Sequence, residues 1–148
     1  MILIVGSAPG WNDEFAEMHR RYPDAIVIAL NFTGEHIHCD YWITLHSGLM
    51  PPGWHEHDGA VSNDDCRIEN RGGTVGLYAA MWALDNFDDN IVLCGCPIEG
   101  RCNGITGAEY NYNDRSMRLA WLGQMERLKC RVRSMSGWTR QQLGGPDD

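Results

Sequence analysis

Short apolar runs alternate with helix-forming segments along this chain, and this alternation constrains the fold more than any other feature. The first run, Ile2–Val5, ends at Gly6 and carries no polar side chain, as expected for a strand buried on both faces of a parallel sheet. Similar runs that predict strands occupy residues 25–30, 41–45, 90–94 and 130–135.

Helical periodicity fills the intervals between these runs. Residues 11–22 place their apolar side chains at the spacing of one helix face, and Pro23 ends that segment. Residues 74–87 are apolar almost all round, which predicts a buried helix. Residues 117–128 predict one amphipathic helix, and a short terminal helix is expected at residues 138–143.

Strands that alternate with helices imply right-handed β-α-β crossovers and a parallel sheet. The chain of 148 residues is long enough for one such domain and too short for a nucleotide-binding domain with a full second domain. We therefore expect a single α/β domain of Rossmann-like type over residues 1–148. Its sheet is expected to be mostly parallel, with about five to six strands and helices on both faces.

Two polar stretches interrupt this pattern. Residues 46–73 and 97–113 predict long functional loops, since long loops in compact domains are usually functional or mobile. The first of them could hold one short strand, near residues 60–62 or 66–68. The glycine-rich end of the chain, residues 144–148, is expected to fray.

A binding site is expected at the carboxyl ends of the strands, because ligands of parallel α/β sheets bind there. The segments that follow the first four strands are the small-residue turn Gly6-Ser7-Ala8-Pro9-Gly10, then Asn31 with Phe32, then His46, and finally Gly95 with Cys96. These segments are scattered in sequence, and the predicted topology brings them together in space.

The turn after the first strand allows backbone N–H groups and a helix N-terminus to approach an anion. It lacks the Gly-Lys-Ser/Thr of a Walker A loop and the Gly-x-Gly-x-x-Gly of a dinucleotide site. Asn31 stands where nicotinamide enzymes carry an acid for the ribose, so a nicotinamide cofactor is not expected. An amide at that position is able to read a base or a ribose. The alternative is a tight turn with no ligand and an Asn31 that only shapes the chain.

Histidines are concentrated between residues 36 and 57, but their spacing does not match a zinc site, and we predict no metal. His46 is the best-placed general base for catalysis at neutral pH. The alternative is a loop histidine that faces solvent. Cys94 is expected in the core, and Cys96 is expected beside the ligand.

The net charge of −8 argues against DNA or RNA as a partner, because nucleic-acid-binding surfaces neutralise phosphates with basic residues. No run of about 18 apolar residues is present that could span a membrane. The chain opens directly on a strand, without a basic leader. We therefore expect a cytoplasmic protein whose cysteines are mostly reduced.

The motifs also resemble those of a bacterial protein group, in the same order along the chain. Val5-Gly6-Ser7-Ala8-Pro9 resembles the opening of the family-42 sialyltransferases, which use CMP-sialic acid, and of the related DUF115 proteins linked to flagellin glycosylation. Asn31 after the second strand, the helix start at residue 74 and the turn at residues 95–96 are similar as well.

This resemblance implies a Rossmann-like fold and a nucleotide or nucleotide-sugar ligand. It also implies which residues contact that ligand. The residues expected to line the nucleotide pocket are Gly6, Ser7, Ala8 and Asn31. Those expected to hold phosphate or ribose at a helix N-terminus are Thr74, Val75 and Gly76.

Three functions remain open from the sequence. The first is a minimal nucleotide-sugar-dependent transferase or hydrolase with His46 as its base. The second is a module that binds a nucleotide-derived ligand without turning it over. The third is a scaffold without a ligand, in which some of the tryptophans form a homo-oligomer interface. The tryptophans considered for that role are Trp42, Trp54, Trp121 and Trp138.

Overall fold

Six parallel strands form one sheet in the computed structural model, which describes residues 1–62, 74–100, 102–109 and 114–148. The strands are β1 (Ile2–Val5), β2 (Ile26–Leu30), β3 (Tyr41–Ile43), β4 (Ala60–Val61), β5 (Ile91–Cys94) and β6 (Val132–Ser134). They lie in the order β4-β3-β2-β1-β5-β6, and each neighbouring pair is parallel. The predicted α/β class with a Rossmann-like sheet is therefore confirmed.

Helices connect these strands. Among the described residues they are α1 (Trp11–Arg21), α2 (Pro52–His55), α3 (Val75–Asn86), α4 (Asp114–Leu122), α5 (Met125–Leu128) and α6 (Gly137–Leu143). Short 3-10 helices occupy Asn31–Glu35 and Ser47–Leu49. Nowhere in the described ranges is a helix long and apolar enough to cross a membrane.

The central strand β1 shows why its sequence is apolar throughout. Ile2 and Ile4 point into a core shared with α3, α4, α5 and α6, whereas Leu3 and Val5 point into a second core shared with α1 and α2. All four side chains are inaccessible to solvent. A strand covered by helices on both faces has no exposed position at which a polar side chain would be favoured.

The direction of strand addition reverses at β1. From β1 the chain adds β2, β3 and β4 on one side, and α3 then carries it back to β5 on the other side. In open α/β sheets the loops on either side of such a switch point leave a crevice at the carboxyl ends of the strands. The fold therefore places the ends of β1 and β5 beside each other at a potential binding site.

The structure differs from the sequence-based expectation in two helical regions. The single helix expected over residues 117–128 is two helices, because α4 ends before Gly123 and the chain restarts as α5. Glycine has a low helix propensity, which explains a break at that position. The long stretch 46–73 contains α2 as well as β4. The strand expected near residues 60–62 is thus present as β4, and the alternative at residues 66–68 lies outside the described residues.

Residues 144–148, which the sequence predicts to fray, make two contacts with the rest of the domain. The Gly144 carbonyl accepts a hydrogen bond from the backbone N–H of Ser134 at 3.0 Å. The Asp147 carboxylate lies 2.8 Å from the guanidinium of Arg21 in α1. The terminal residues therefore add a backbone bond beside β6 and an exposed ion pair to the domain, which sequence composition does not reveal.

Candidate functional site

A cavity of about 120 Å³ lies where β1, β2 and β5 end, at the switch point of the sheet. We call it the switch-point cavity. Its wall contains every residue that the sequence predicts as ligand-binding except Pro9 and Phe32, namely residues 6–8, Asn31, residues 74–76, Gly95 and Cys96. Pro9 is exposed and Phe32 is half-buried in the 3-10 helix that follows β2. The structure thus brings together four sequence segments that lie far apart along the chain.

The turn after β1 is held on both sides by other parts of the protein. The backbone N–H of Gly6 donates to the Cys94 carbonyl at 2.8 Å, and that of Ala8 donates to the Gly95 carbonyl at 3.2 Å. On the other side, the Ser7 hydroxyl accepts from the Asn103 side-chain amide at 2.8 Å. These bonds fix the turn as one rigid wall of the cavity and occupy two of the N–H groups that an anion would need.

The N-terminus of α1 already carries negative charge from the protein. Asp13 and Glu14 lie in its first turn, and the Glu14 carboxylate accepts the backbone N–H of Gly95 at 2.7 Å. Carboxylates at this position offset the positive end of the helix dipole. An anionic ligand group is therefore disfavoured at the start of α1, which is one of the two helix starts that the sequence offers for such a group.

The start of α3 offers the better position for such a group. Thr74 caps this helix by accepting the backbone N–H of Leu77 at 3.3 Å, and its hydroxyl also accepts the indole N–H of Trp121 at 3.2 Å. No acidic residue lies in the first turn. The first N–H groups of a helix have no acceptor within the helix. In α3 these groups include the N–H groups of Val75 and Gly76, two residues that line the cavity.

Asn31 forms the opposite wall with a left-handed backbone, at φ 50°. Its carbonyl accepts the indole N–H of Trp42, and its side-chain Oδ1 accepts the hydroxyl of Thr44 at 2.9 Å. Asparagine tolerates positive φ better than most residues with a Cβ atom. The side chains of Trp42 and Thr44 therefore hold Asn31 in a defined position at the end of β2.

The segment after β5 completes the wall and contains a second left-handed residue. Ile98 has φ 51°, which is unusual for a β-branched residue. The Arg118 guanidinium donates to the Ile98 carbonyl at 3.1 Å, and the Thr139 hydroxyl donates to the Cys96 carbonyl at 2.7 Å. Ile98 and Asn31 are the positive-φ residues other than glycine among those described, and both line the cavity. Strained backbone of this kind clusters at functional sites.

The predicted base, His46, lies apart from this cavity. It is exposed, it is not part of the cavity wall, and its backbone N–H donates to the Thr44 hydroxyl at 3.0 Å. Another histidine has a structural role: His57 accepts the Gly59 N–H through Nδ1 at 3.0 Å, and its Nε2 lies 3.1 Å from the Cys39 carbonyl. Within the described ranges, no group of three or more His, Cys, Asp or Glu side chains is placed to hold a metal.

The cavity thiol of Cys96 is not an activated nucleophile. Burial raises its pKa to about 12, and burial likewise raises the pKa of Cys39 to about 11 and that of Cys94 further still. A thiol with a raised pKa stays protonated near neutral pH, whereas nucleophilic attack requires the thiolate. Cys96 therefore contributes its shape and apolar surface to the wall.

Cysteine alkylation tests this assignment. We expect iodoacetamide at pH 8 to modify the exposed Cys102 and Cys130 in the native protein and to leave Cys39, Cys94 and Cys96 unmodified. Peptide mapping by mass spectrometry reads each site, and labelling in denaturant shows that every peptide is detectable. Native labelling of Cys96 as fast as that of Cys102 would show that its thiol is accessible and ionised.

Sequence reasoning missed part of the wall. The missed residues are Leu30 and Met117, together with Thr44 behind Asn31. Residues 97–100, Cys102 and Asn103 lie in the stretch 97–113 that the sequence predicts as a functional loop, but no single residue of it was predicted to line the site. The Asn103-Gly104 pair is a turn signal that could have been noticed, since Asn103 Oδ1 accepts the backbone N–H groups of Ile105 and Thr106 at 2.7 and 2.9 Å. Nothing in the local sequence indicates that this turn packs on Ser7, because that contact depends on the tertiary fold.

Comparison of the chain with models of known protein families, with functionally characterised proteins and with solved structures found no match. The similarity of the Gly6 turn and Asn31 to the sialyltransferase-like group therefore rests on these short motifs alone.

Proposed function

We propose that this protein binds a nucleotide-type ligand, a nucleotide or a nucleotide sugar, in the switch-point cavity. One observation carries the proposal: the turn at residues 6–8, Asn31 and the start of α3 at residues 74–76 line the same cavity. That location is where open α/β sheets bind their ligands. The resemblance of the same segments to nucleotide-sugar-binding proteins supports the same class of ligand.

The chemistry of the wall suits a ligand with one apolar ring and several oxygen atoms. Leu30, Val75 and Met117 supply apolar surface, while the start of α3 and Asn31 supply hydrogen-bonding groups. An apolar cavity of about 150 Å³ is large enough to hold benzene. The switch-point cavity has a comparable volume of about 120 Å³, so we expect it to take up one ring of a nucleotide while the rest of the ligand extends out of the cavity.

Ligand-induced stabilisation tests the proposal. The panel consists of uridine, cytidine, adenosine and guanosine, their 5′-monophosphates, UDP-glucose and CMP-sialic acid. A ligand present at 100 times its Kd stabilises the native state by about 2.7 kcal/mol, which corresponds to a rise in Tm of roughly 5–10 °C. If no compound of the panel raises Tm at millimolar concentration, the proposal is wrong.

A matched pair of glycine variants assigns any binding to the cavity. In Gly76→Ala the new methyl group lies 3.4 Å from Cys96 Sγ, an ordinary contact, so the protein folds and the helix is stabilised. We expect that variant to bind the ligand about tenfold more weakly, equivalent to about 1.4 kcal/mol. Gly53→Ala makes the same change in the first turn of α2, where no described residue has an atom within 4 Å of the added Cβ, and this variant should bind as the unmodified protein does. Equal affinity in both variants would place the ligand elsewhere.

A further inference from the structure

The two oxygen atoms of Asn31 are both occupied by hydrogen bonds within the protein. The carbonyl accepts the indole N–H of Trp42, and the side-chain Oδ1 lies 2.9 Å from the hydroxyl of Thr44. The side-chain nitrogen, Nδ2, has no acceptor within the part of the chain that the structure describes, and Asn31 lines the cavity. The orientation of this amide therefore decides which group faces a ligand.

Thr44 fixes that orientation. Its side chain is inaccessible to solvent, and its Oγ1 accepts the backbone N–H of His46 at 3.0 Å. The hydroxyl hydrogen then needs an acceptor of its own, because a buried donor without a partner is costly. Asn31 Oδ1 is that acceptor. With the amide rotated by half a turn, Nδ2 would donate to the remaining lone pair of the hydroxyl oxygen, and the buried hydroxyl hydrogen would lose its acceptor.

We infer that Asn31 presents its amide N–H groups to the ligand, and that Thr44 and Trp42 are positioning residues that keep them there. The site then selects a ligand with a hydrogen-bond acceptor at this point, either a keto oxygen of a base or a non-bridging oxygen of a phosphate. The inference rests on the proposed function, since it concerns the same cavity. It adds that the protein supplies the hydrogen-bond donor and the ligand supplies the acceptor, which the sequence left open.

The backbone of Asn31 supports this assignment. A residue held at φ 50° by the indole of Trp42 has little freedom to swing its side chain away from the cavity. Such preorganisation reduces the entropy lost when a ligand is bound. The donor is therefore fixed in position before the ligand arrives.

The test compares two changes from asparagine to aspartate. Asn31→Asp keeps the acceptor for Thr44 and the tolerance of positive φ, but it replaces the Nδ2 donor with an acceptor. Asn90→Asp makes the same change in charge at an exposed position just before β5, at the amino ends of the strands and thus far from the cavity at their carboxyl ends. Titration calorimetry uses the nucleoside and the 5′-monophosphate that stabilise the protein most in the panel above.

We expect Asn31→Asp to weaken binding by roughly tenfold or more, while Asn90→Asp stays within about twofold. A loss with both probes places the acceptor on the nucleoside and supports the inference. A loss with the monophosphate alone places the acceptor on the phosphate if Thr44→Val, which changes no charge, also weakens binding of the monophosphate; if Thr44→Val leaves that binding unchanged, charge repulsion explains the loss and the inference fails. The nucleoside carries no charge, so repulsion does not explain a loss there. Full affinity of Asn31→Asp, together with reduced affinity of Gly76→Ala, would overturn the donor assignment and leave the proposed function intact. No binding by the unmodified protein would instead refute the proposed function.

Variants of Thr44 test the positioning role without any change of charge. Thr44→Val keeps the side-chain volume but removes the hydroxyl that fixes the amide, whereas Thr44→Ser keeps the hydroxyl. We expect the valine variant to lose roughly fivefold or more in affinity and the serine variant to recover it to within about twofold. Denaturant unfolding of both variants shows that they remain folded. A valine variant that loses stability but keeps full affinity would show that Thr44 is structural only.

Discussion

Gly95→Ala is expected to lower the free energy of unfolding by about 2–5 kcal/mol, because two separate penalties meet at this position. Gly95 has φ 64°, a conformation that disfavours an L side chain by about 1–2 kcal/mol. An added Cβ would also lie 2.5 Å from Trp11 Cβ and 2.6 Å from the Gly6 carbonyl oxygen. Forcing such a group into a packed interior adds about 1–3 kcal/mol. Urea unfolding of the variant measures the sum.

Gly107→Ala is the matched control for this change. Gly107 has a similar φ of 68°, but no atom of the residues that the structure describes lies within 4 Å of an added Cβ. We expect it to lose only the conformational part, about 1–2 kcal/mol. The difference between the two variants isolates the close approach of the β1 and β5 ends. Equal losses would show that these two turns are not packed against each other as described.

Trp121→Ala is expected to destabilise the protein by about 3–5 kcal/mol. The side chain is inaccessible to solvent and is among the largest fully buried ones that the structure describes. Its indole N–H donates to the hydroxyl of Thr74, the residue that caps α3 beside the cavity. Truncation therefore leaves a void in the core and removes one partner of that cap. Denaturant unfolding measures the loss when it is monitored by far-ultraviolet circular dichroism, because that backbone signal does not depend on tryptophan fluorescence.

Leu119→Ala, a truncation on the same helix, is the control for Trp121→Ala. Leu119 is 59% exposed, so its truncation removes little buried surface and keeps helix propensity high. We expect a change within about 0.5 kcal/mol. A loss at Leu119 as large as that at Trp121 would mean that the exposed face of α4 is covered in solution.

The strands, and the burial of β1 on both faces, could be predicted from the sequence. Residues 2–5 are apolar at every position because both faces of β1 are buried. The same apolar run predicts a strand buried on both faces from the sequence alone. The alternation of such runs with helical segments leaves a parallel sheet as the simplest arrangement. The break at Gly123 has a local cause in the low helix propensity of glycine, which the apolar periodicity of residues 117–128 does not reveal. The short helix α2 could not be predicted, because its local helix propensity is marginal and packing decides whether it forms.

The candidate site was accessible only in outline. The rule that ligands bind at the carboxyl ends of strands pointed to residues 6–8, to Asn31 and to Gly95. It also pointed to His46, which the structure leaves exposed and outside the cavity wall. Two contacts of the site join segments that are distant in sequence: Glu14 accepts the Gly95 N–H, and Thr44 orients Asn31. No local sequence pattern predicts either contact.

A nuclear magnetic resonance titration shows whether a nucleotide binds in the switch-point cavity, because it reports where on the protein a ligand binds. The ¹⁵N-labelled chain is titrated with the 5′-monophosphate that stabilises it most. We predict that saturation shifts the side-chain amide signals of Asn31 and the backbone signals of Gly76 and Gly95, while the backbone signal of Gly53 and the side-chain amide of Asn90 stay in place. Unchanged signals of Asn31 and Gly76 at saturating ligand would contradict the account.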